Sequence, residues 1–182
     1  MTMPTSDRIR VLVLGLGNII CGDDGAGVVA VHRVRREWAL PEGARVVDGG
    51  TLGLDLLALI AASDRVILVD AVRGDGPPGT LVRLAGDDVA PAVYERLSAH
   101  QIGVADLLAG ATLCDRYPEE VVIVGVVPAM TDLQLGCTPQ VAASLDGLVA
   151  AVIAELRRLG IEPVKRDLAL GAHDEGARAL GL

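Results

Sequence analysis

Apolar positions along the chain fall into two kinds of run. Short blocks dominated by Val, Ile and Leu stand at 11–16, 66–69 and 120–127. Unbroken apolar blocks of this length suit strands buried on both faces, where neither side of the pleat meets water. Between them lie segments whose apolar residues recur every three or four positions, the period of a helix with one buried face. The alternation predicts an α/β fold built on a mostly parallel sheet. Strands are expected at 11–16, 44–47, 66–69 and 120–127, with a short strand, suited to an edge, at 80–84. Helices are expected at 26–38, 54–62 and 92–97. Another should start at a capping box of Ser98 and Gln101 and run to about 114.

The last helix carries the clearest pattern. Val141, Leu145, Leu148, Val152, Leu156 and Leu159 repeat at helical spacing. Thr138 suits its cap, Pro139 its first turn, and Gly160 a left-handed stop. Residues 161–182 are polar and contain glycine, so they read as a loosely held tail on a core spanning about 10–160. No internal repeat or interdomain linker is visible, and 182 residues fit one domain.

Composition narrows this picture. About half the residues are apolar, yet Phe is absent. The core must therefore be made of Val, Leu, Ile and Ala, which favours closely stacked layers. The net charge of −8 argues against nucleic acid, because phosphate binding needs a basic surface. The longest apolar stretch, 121–130, is about half of the roughly 20 residues a membrane helix needs. The first residues lack the apolar segment of a signal peptide. Cys21, Cys114 and Cys137 are odd in number and widely spaced, which suggests a reducing cytoplasm rather than a disulfide framework.

The candidate chemistry begins with Gly15-Leu16-Gly17-Asn18-Ile19-Ile20-Cys21-Gly22-Asp23-Asp24-Gly25. A strand followed by Gly-X-Gly resembles a dinucleotide loop, but Ile20 occupies the place of the third glycine. Two carboxylates at the helix start would also repel a pyrophosphate. Acidic residues there can cap the helix for about 0.3–1 kcal/mol. One carboxylate suffices for that, leaving the second to face a crevice. Asp70 ends the apolar run 66–69, on the side of an open sheet where ligands bind. An aspartate there also suits a turn cap, and position leaves both readings open. His100 falls at a helix start, where the dipole favours the neutral imidazole that a metal needs. His32, inside the first helix, and His173, in the tail, read as structural or solvated.

Asp24, Asp70 and His100 would make an oxygen-rich, incomplete site for zinc or nickel. Three ligands of this kind hold a metal weakly unless something else completes the shell. The chain has no HExxH and no GxSxG. Cys21 with His100 as its base is a rival, but nothing in the neighbouring sequence activates the thiol.

At these residues the chain resembles the hydrogenase maturation endopeptidases, over about 11–160. Leu12-Val13-Leu14-Gly15-Leu16-Gly17-Asn18 with Asp23-Asp24-Gly25-Ala26-Gly27 matches the first family motif, and Asp48-Gly49-Gly50-Thr51 the second. Val69-Asp70-Ala71, His100-Gln101-Ile102-Gly103, Gly125-Val126-Val127-Pro128 and Gly136-Cys137-Thr138-Pro139 follow in order. The resemblance implies a three-layer α/β/α sandwich around five strands. It implies that Asp24, Asp70 and His100 contact nickel carried by the substrate, the precursor of a nickel–iron hydrogenase large subunit. It also implies removal of a short C-terminal extension by cleavage after a basic residue. Two departures stand out: Asp24 where some relatives carry Glu, and Ala129 where many carry an acid. A non-cleaving checkpoint or chaperone-like protein would show the same motifs. A monomer is expected, since the crevice must admit a large partner.

Overall fold

The computed structural model describes residues 8–95 and 102–167. In chain order the elements are β1 (Ile9–Leu16), α1 (Ala26–Glu37), β2 (Trp38–Ala39), β3 (Ala44–Gly50), α2 (Leu57–Ala61), β4 (Ser63–Ala71) and β5 (Leu81–Ala85). They continue with α3 (Val89–Glu95), α4 (Ile102–Leu113), β6 (Glu120–Val126), α5 (Pro139–Ala142), α6 (Leu145–Arg158) and β7 (Val164–Lys165). Short 3-10 turns precede α1, α2 and α3 at Gly22–Gly25, Gly53–Leu56 and Gly86–Asp88.

Five strands form one sheet in the order β3-β1-β4-β6-β5. The first four are parallel, and β5 runs antiparallel to β6 at the edge. The alternation of the pleat divides β1 between two cores. Val11 and Val13 join α1 and α6 on one face, whereas Leu12 and Leu14 join α2, α3 and α4 on the other. Ile67 and Val69 against Val66 and Leu68 divide β4 in the same way. Helices therefore cover both faces, giving the three expected layers, and the uninterrupted apolar blocks are the strands with two buried faces.

Several boundaries differ from expectation. The segment expected as a helix over 54–62 is a 3-10 turn followed by the brief α2. β3 extends through Asp48, Gly49 and Gly50 instead of turning there, because β1 continues to pair with it as far as Leu16. The expected last helix is broken into α5 and α6 at Ala143 and Ser144. Thr138 precedes α5 but its side chain makes no cap. The expected capping residues Ser98 and Gln101 lie outside the described residues.

The tail begins later than the polarity of 161–182 suggests. Ile161 has no solvent exposure and belongs to the core beneath α1 and α6. Gly160 makes the expected left-handed stop, with φ of 76°. Beyond it β7 pairs antiparallel with β2, and Arg166 N donates to Glu37 O at 2.7 Å. The Arg157 guanidinium and Lys165 Nζ lie 5.7 and 6.0 Å from the centre of the Trp38 ring, so cation–π attraction adds to this ribbon. Residues 168–182, including His173, lie outside the described residues. No helix among the described residues is long and apolar enough to cross a membrane.

Candidate active site

The carboxyl ends of β1 and β4 set the position of the candidate site. α1 begins directly against both strands, and Gly27 makes this possible. A Cβ at Gly27 would lie 2.1 Å from Val69 O and 2.6 Å from Leu16 O. Gly17 allows the preceding loop to fold back on the 3-10 turn. Its φ is 113°, and a Cβ there would lie 1.7 Å from Asp24 O. Two glycines thus bring Gly22–Gly25 over the end of the sheet.

Asp24 is wholly buried in that turn, and its Oδ2 accepts a hydrogen bond from Asn18 N at 2.7 Å. Asp70 is wholly buried near the end of β4, and its Oδ1 accepts from Ala71 N at 2.7 Å. β4 packs against the 3-10 turn, so the structure brings both predicted carboxylates to one edge of the sheet. His100, the third predicted residue, lies outside the described residues. Among the described residues, no three His, Cys, Asp or Glu side chains converge as a cation site.

Asp23 has a different role from the helix cap expected for one member of the pair. Its Oδ2 accepts hydrogen bonds from Ala129 N at 2.8 Å, Met130 N at 3.1 Å and Thr138 Oγ1 at 2.9 Å, and its Oδ1 accepts from Thr138 N at 2.6 Å. Neither the 3-10 turn nor α1 has a side-chain cap. Asp23 instead ties the first loop to the long loop after β6. The backbone reinforces the tie: Asp23 N donates to Met130 O at 3.0 Å, Gly22 N to Gln134 O at 2.8 Å, and Gln134 N to Ile20 O at 3.0 Å.

A cleft lies on each side of this edge. One, of about 280 Å³, is lined by Ala71, Arg73, Pro128, Met130 and Asp132. The other, of about 250 Å³, is lined by Gly17, Asn18, Val28, His32, Asp48 and Thr51. His32 Nε2 and Asp48 Oδ2 are 2.8 Å apart within the second cleft, both partly exposed. Sequence reasoning treated His32 as structural or solvated and missed this pair. The available signal was the motif aspartate, Asp48, at the carboxyl end of a predicted strand.

Cysteine chemistry receives no support from Cys137. Burial, and secondarily the charge of Asp23, pushes its thiol up to about 11. It is therefore protonated at neutral pH and a poor nucleophile.

A family model described as hydrogenase maturation protease matches residues 28–155. The chain belongs to the hydrogenase maturation protease family. The hydrogenase 2 maturation protease of Escherichia coli (strain K12) is 35% identical over 160 residues, covering 87% of this chain and 98% of that one. HupD of Rhodobacter capsulatus, a hydrogenase expression/formation protein, is 40% identical over 166 residues, covering 90% of this chain and 79% of its own. Among solved structures, the E. coli hydrogenase maturating endopeptidase HybD superposes with a TM-score of 0.82 at 34% identity, covering 88% of this chain and 99% of that one. HybD from Thermococcus kodakarensis superposes with a TM-score of 0.67 at 28% identity, covering 80% and 98%. This maturation protease is accordingly a peptide-bond hydrolase with the fold of those endopeptidases. The family model spans Asp70 and His100 but begins after Asp24.

Proposed function

We propose that this protease removes a C-terminal extension from the nickel-loaded precursor of a nickel–iron hydrogenase large subunit. Nickel arrives as part of the substrate and serves as the recognition signal, and Asp24, Asp70 and His100 are its contacts on this chain. The observation that carries the reading is the placement of Asp24 and Asp70. Two fully buried carboxylates share the carboxyl edge of the sheet, in a family whose named members mature hydrogenases. Hard oxygen donors with one imidazole make a weak resident site. Weakness suits a sensor, since a complete site would take the metal from the substrate. Nickel docked there either polarises the scissile carbonyl or holds the bond beside a carboxylate acting as general base. We place this action in the cytoplasm, away from nucleic acid, which the three widely spaced cysteines and the net charge of −8 support.

The test compares nickel-loaded with nickel-free precursor by intact-mass measurement after incubation. The expected result is loss of a C-terminal peptide from the loaded form alone. Equal cleavage of both forms would overturn nickel recognition. Stable complex formation with no mass change would instead identify a checkpoint protein that binds without cutting.

A further inference from the structure

The loops around the candidate site carry apolar side chains that the fold leaves in solvent. Ile19 and Ile20 are 40% and 46% exposed, and Leu133 and Leu135 are 81% and 65% exposed. The two loops bearing them are paired through a parallel bridge between Cys21 and Gln134. In that register Ile20 stands beside Leu133. Leu133 and Leu135 flank the bridged residue Gln134 and are the most exposed of the four. The buried carboxylate of Asp23 fixes both ends of the loop after β6, through Ala129 and Met130 before the leucines and Thr138 after them. A loop anchored at both ends that still exposes two leucines is built to present them. Contiguous exposed apolar surface of a few hundred Å² is the mark of an interaction site.

We propose that Ile19, Ile20, Leu133 and Leu135 form an apolar shelf on which the hydrogenase large-subunit precursor docks. The proposal rests on the functional reading above and adds the surface and its chemistry. Continuity with the site identifies the occupant. The same loop that carries Leu133 lines the 280 Å³ cleft beside Ala71, the residue after Asp70. The loop that carries Ile20 leads within four residues to Asp24. The shelf thus lies on the two loops that frame the candidate site, and it calls for an apolar, uncharged segment of the precursor next to its metal centre.

The experiment uses the full chain, with nickel-loaded precursor as the probe, and measures both Kd and turnover. Leu133→Glu combined with Leu135→Glu changes side chains already in solvent, so the fold is retained. The control is Leu113→Glu, 88% exposed on the last turn of α4. The shelf variant is expected to raise Kd and KM roughly tenfold or more with kcat at saturation nearly unchanged, and the control to alter neither. An unchanged Kd in the shelf variant, or an equal rise in the control, overturns the proposal. Concentration-dependent self-association of the wild type, abolished by the shelf variant while precursor binding persists, overturns it in favour of a second copy. Failure of the wild type to shorten the precursor counts against the functional reading alone, because the Kd comparison still decides whether the shelf docks it.

Discussion

Among the described residues, buried acid lies in two regions, and Glu155 in one and Asp23 in the other are stabilised by different means. On the flank formed by β5, β6 and α6, Glu155 is neutralised by arginine. Its carboxylate accepts from Arg83 Nε at 2.5 Å and from Arg158 Nε at 2.7 Å, and Arg158 reaches on to Glu120 at 2.6 Å. At the carboxyl edge of the sheet, Asp23 is held by three backbone amides and one hydroxyl. Asp24 and Asp70 there also accept from the backbone. Amide donors stabilise a carboxylate without cancelling its net charge. The flank is thus a charge-balanced brace between two strands and a helix, whereas Asp23 at the edge is a tie between two loops made by amide and hydroxyl donors. The acids at the carboxyl end of the sheet stand where ligands of open α/β sheets bind; the arginine-paired Glu155 stands on the flank.

The comparison breaks most sharply at Asp24. Asp24→Ala is expected to reduce kcat/KM for nickel-loaded precursor about 100-fold or more, roughly 3 kcal/mol of transition-state stabilisation. Wild-type-like processing by this variant would place the edge with the flank as mere structure.

Asp23→Asn tests the tie between loops. The amide nitrogen would face donors, leaving buried N–H groups without an acceptor, at a cost of about 2–3 kcal/mol. Urea unfolding should show this as a lower midpoint. A loss below about 1 kcal/mol would return Asp23 to the status of a helix cap.

The flank gives a smaller, pH-dependent effect. Burial pulls the Glu155 carboxyl upward, but hydrogen bonds from Arg83 and Arg158 outweigh it and hold the group below its ordinary value. Its contribution is therefore present above the unfolded value of about 4.3 and is lost as pH falls through the lower folded value. Glu155→Gln should cost about 1–2 kcal/mol at pH 7, the arginines being partly exposed. The gap between variant and wild type should narrow on acidification. A gap that stays constant down to the acid transition would mean that the arginines contribute packing rather than charge.

The smallest effect concerns Cys137. With its thiol raised by burial and by Asp23, alkylation at pH 7 should be slower than at the exposed Cys114. Mass-resolved iodoacetamide labelling reads both, and Asp23→Asn should bring the two rates closer.

The sheet and its layers were legible because their signals are local. Apolar blocks at 66–69 and 120–127 have few other places to go than strands with two covered faces, and a period near 3.6 marks the helices. The place of Asp70 near the carboxyl end of β4 was legible for the same reason, as the first polar residue after such a block. The hydrogen-bond partners of the Asp23–Asp24 pair were not legible. Both are acids at a helix start, and only their partners distinguish them: Asn18, six residues from Asp24, against Ala129 and Thr138, 106 and 115 residues from Asp23.

Other features share that cause. Ile161 sits in a polar stretch, and only the space beneath α1 and α6 makes it a core residue. Thr138 carries every local mark of a cap, yet its side chain caps nothing and its hydroxyl donates to Asp23, 115 residues away. His32 and Asp48 meet only because β3 lies beside β1 and α1 crosses them. Sequence by itself determined which segments are strands and helices and which end of the sheet carries the acids, since periodicity and turn chemistry act between neighbours. Tertiary structure alone decided which acid ties the two loops and where the tail begins. Those outcomes depend on which donor, cavity or strand edge the folded chain brings within about 3 Å of a buried group, and residues a hundred positions apart supply it.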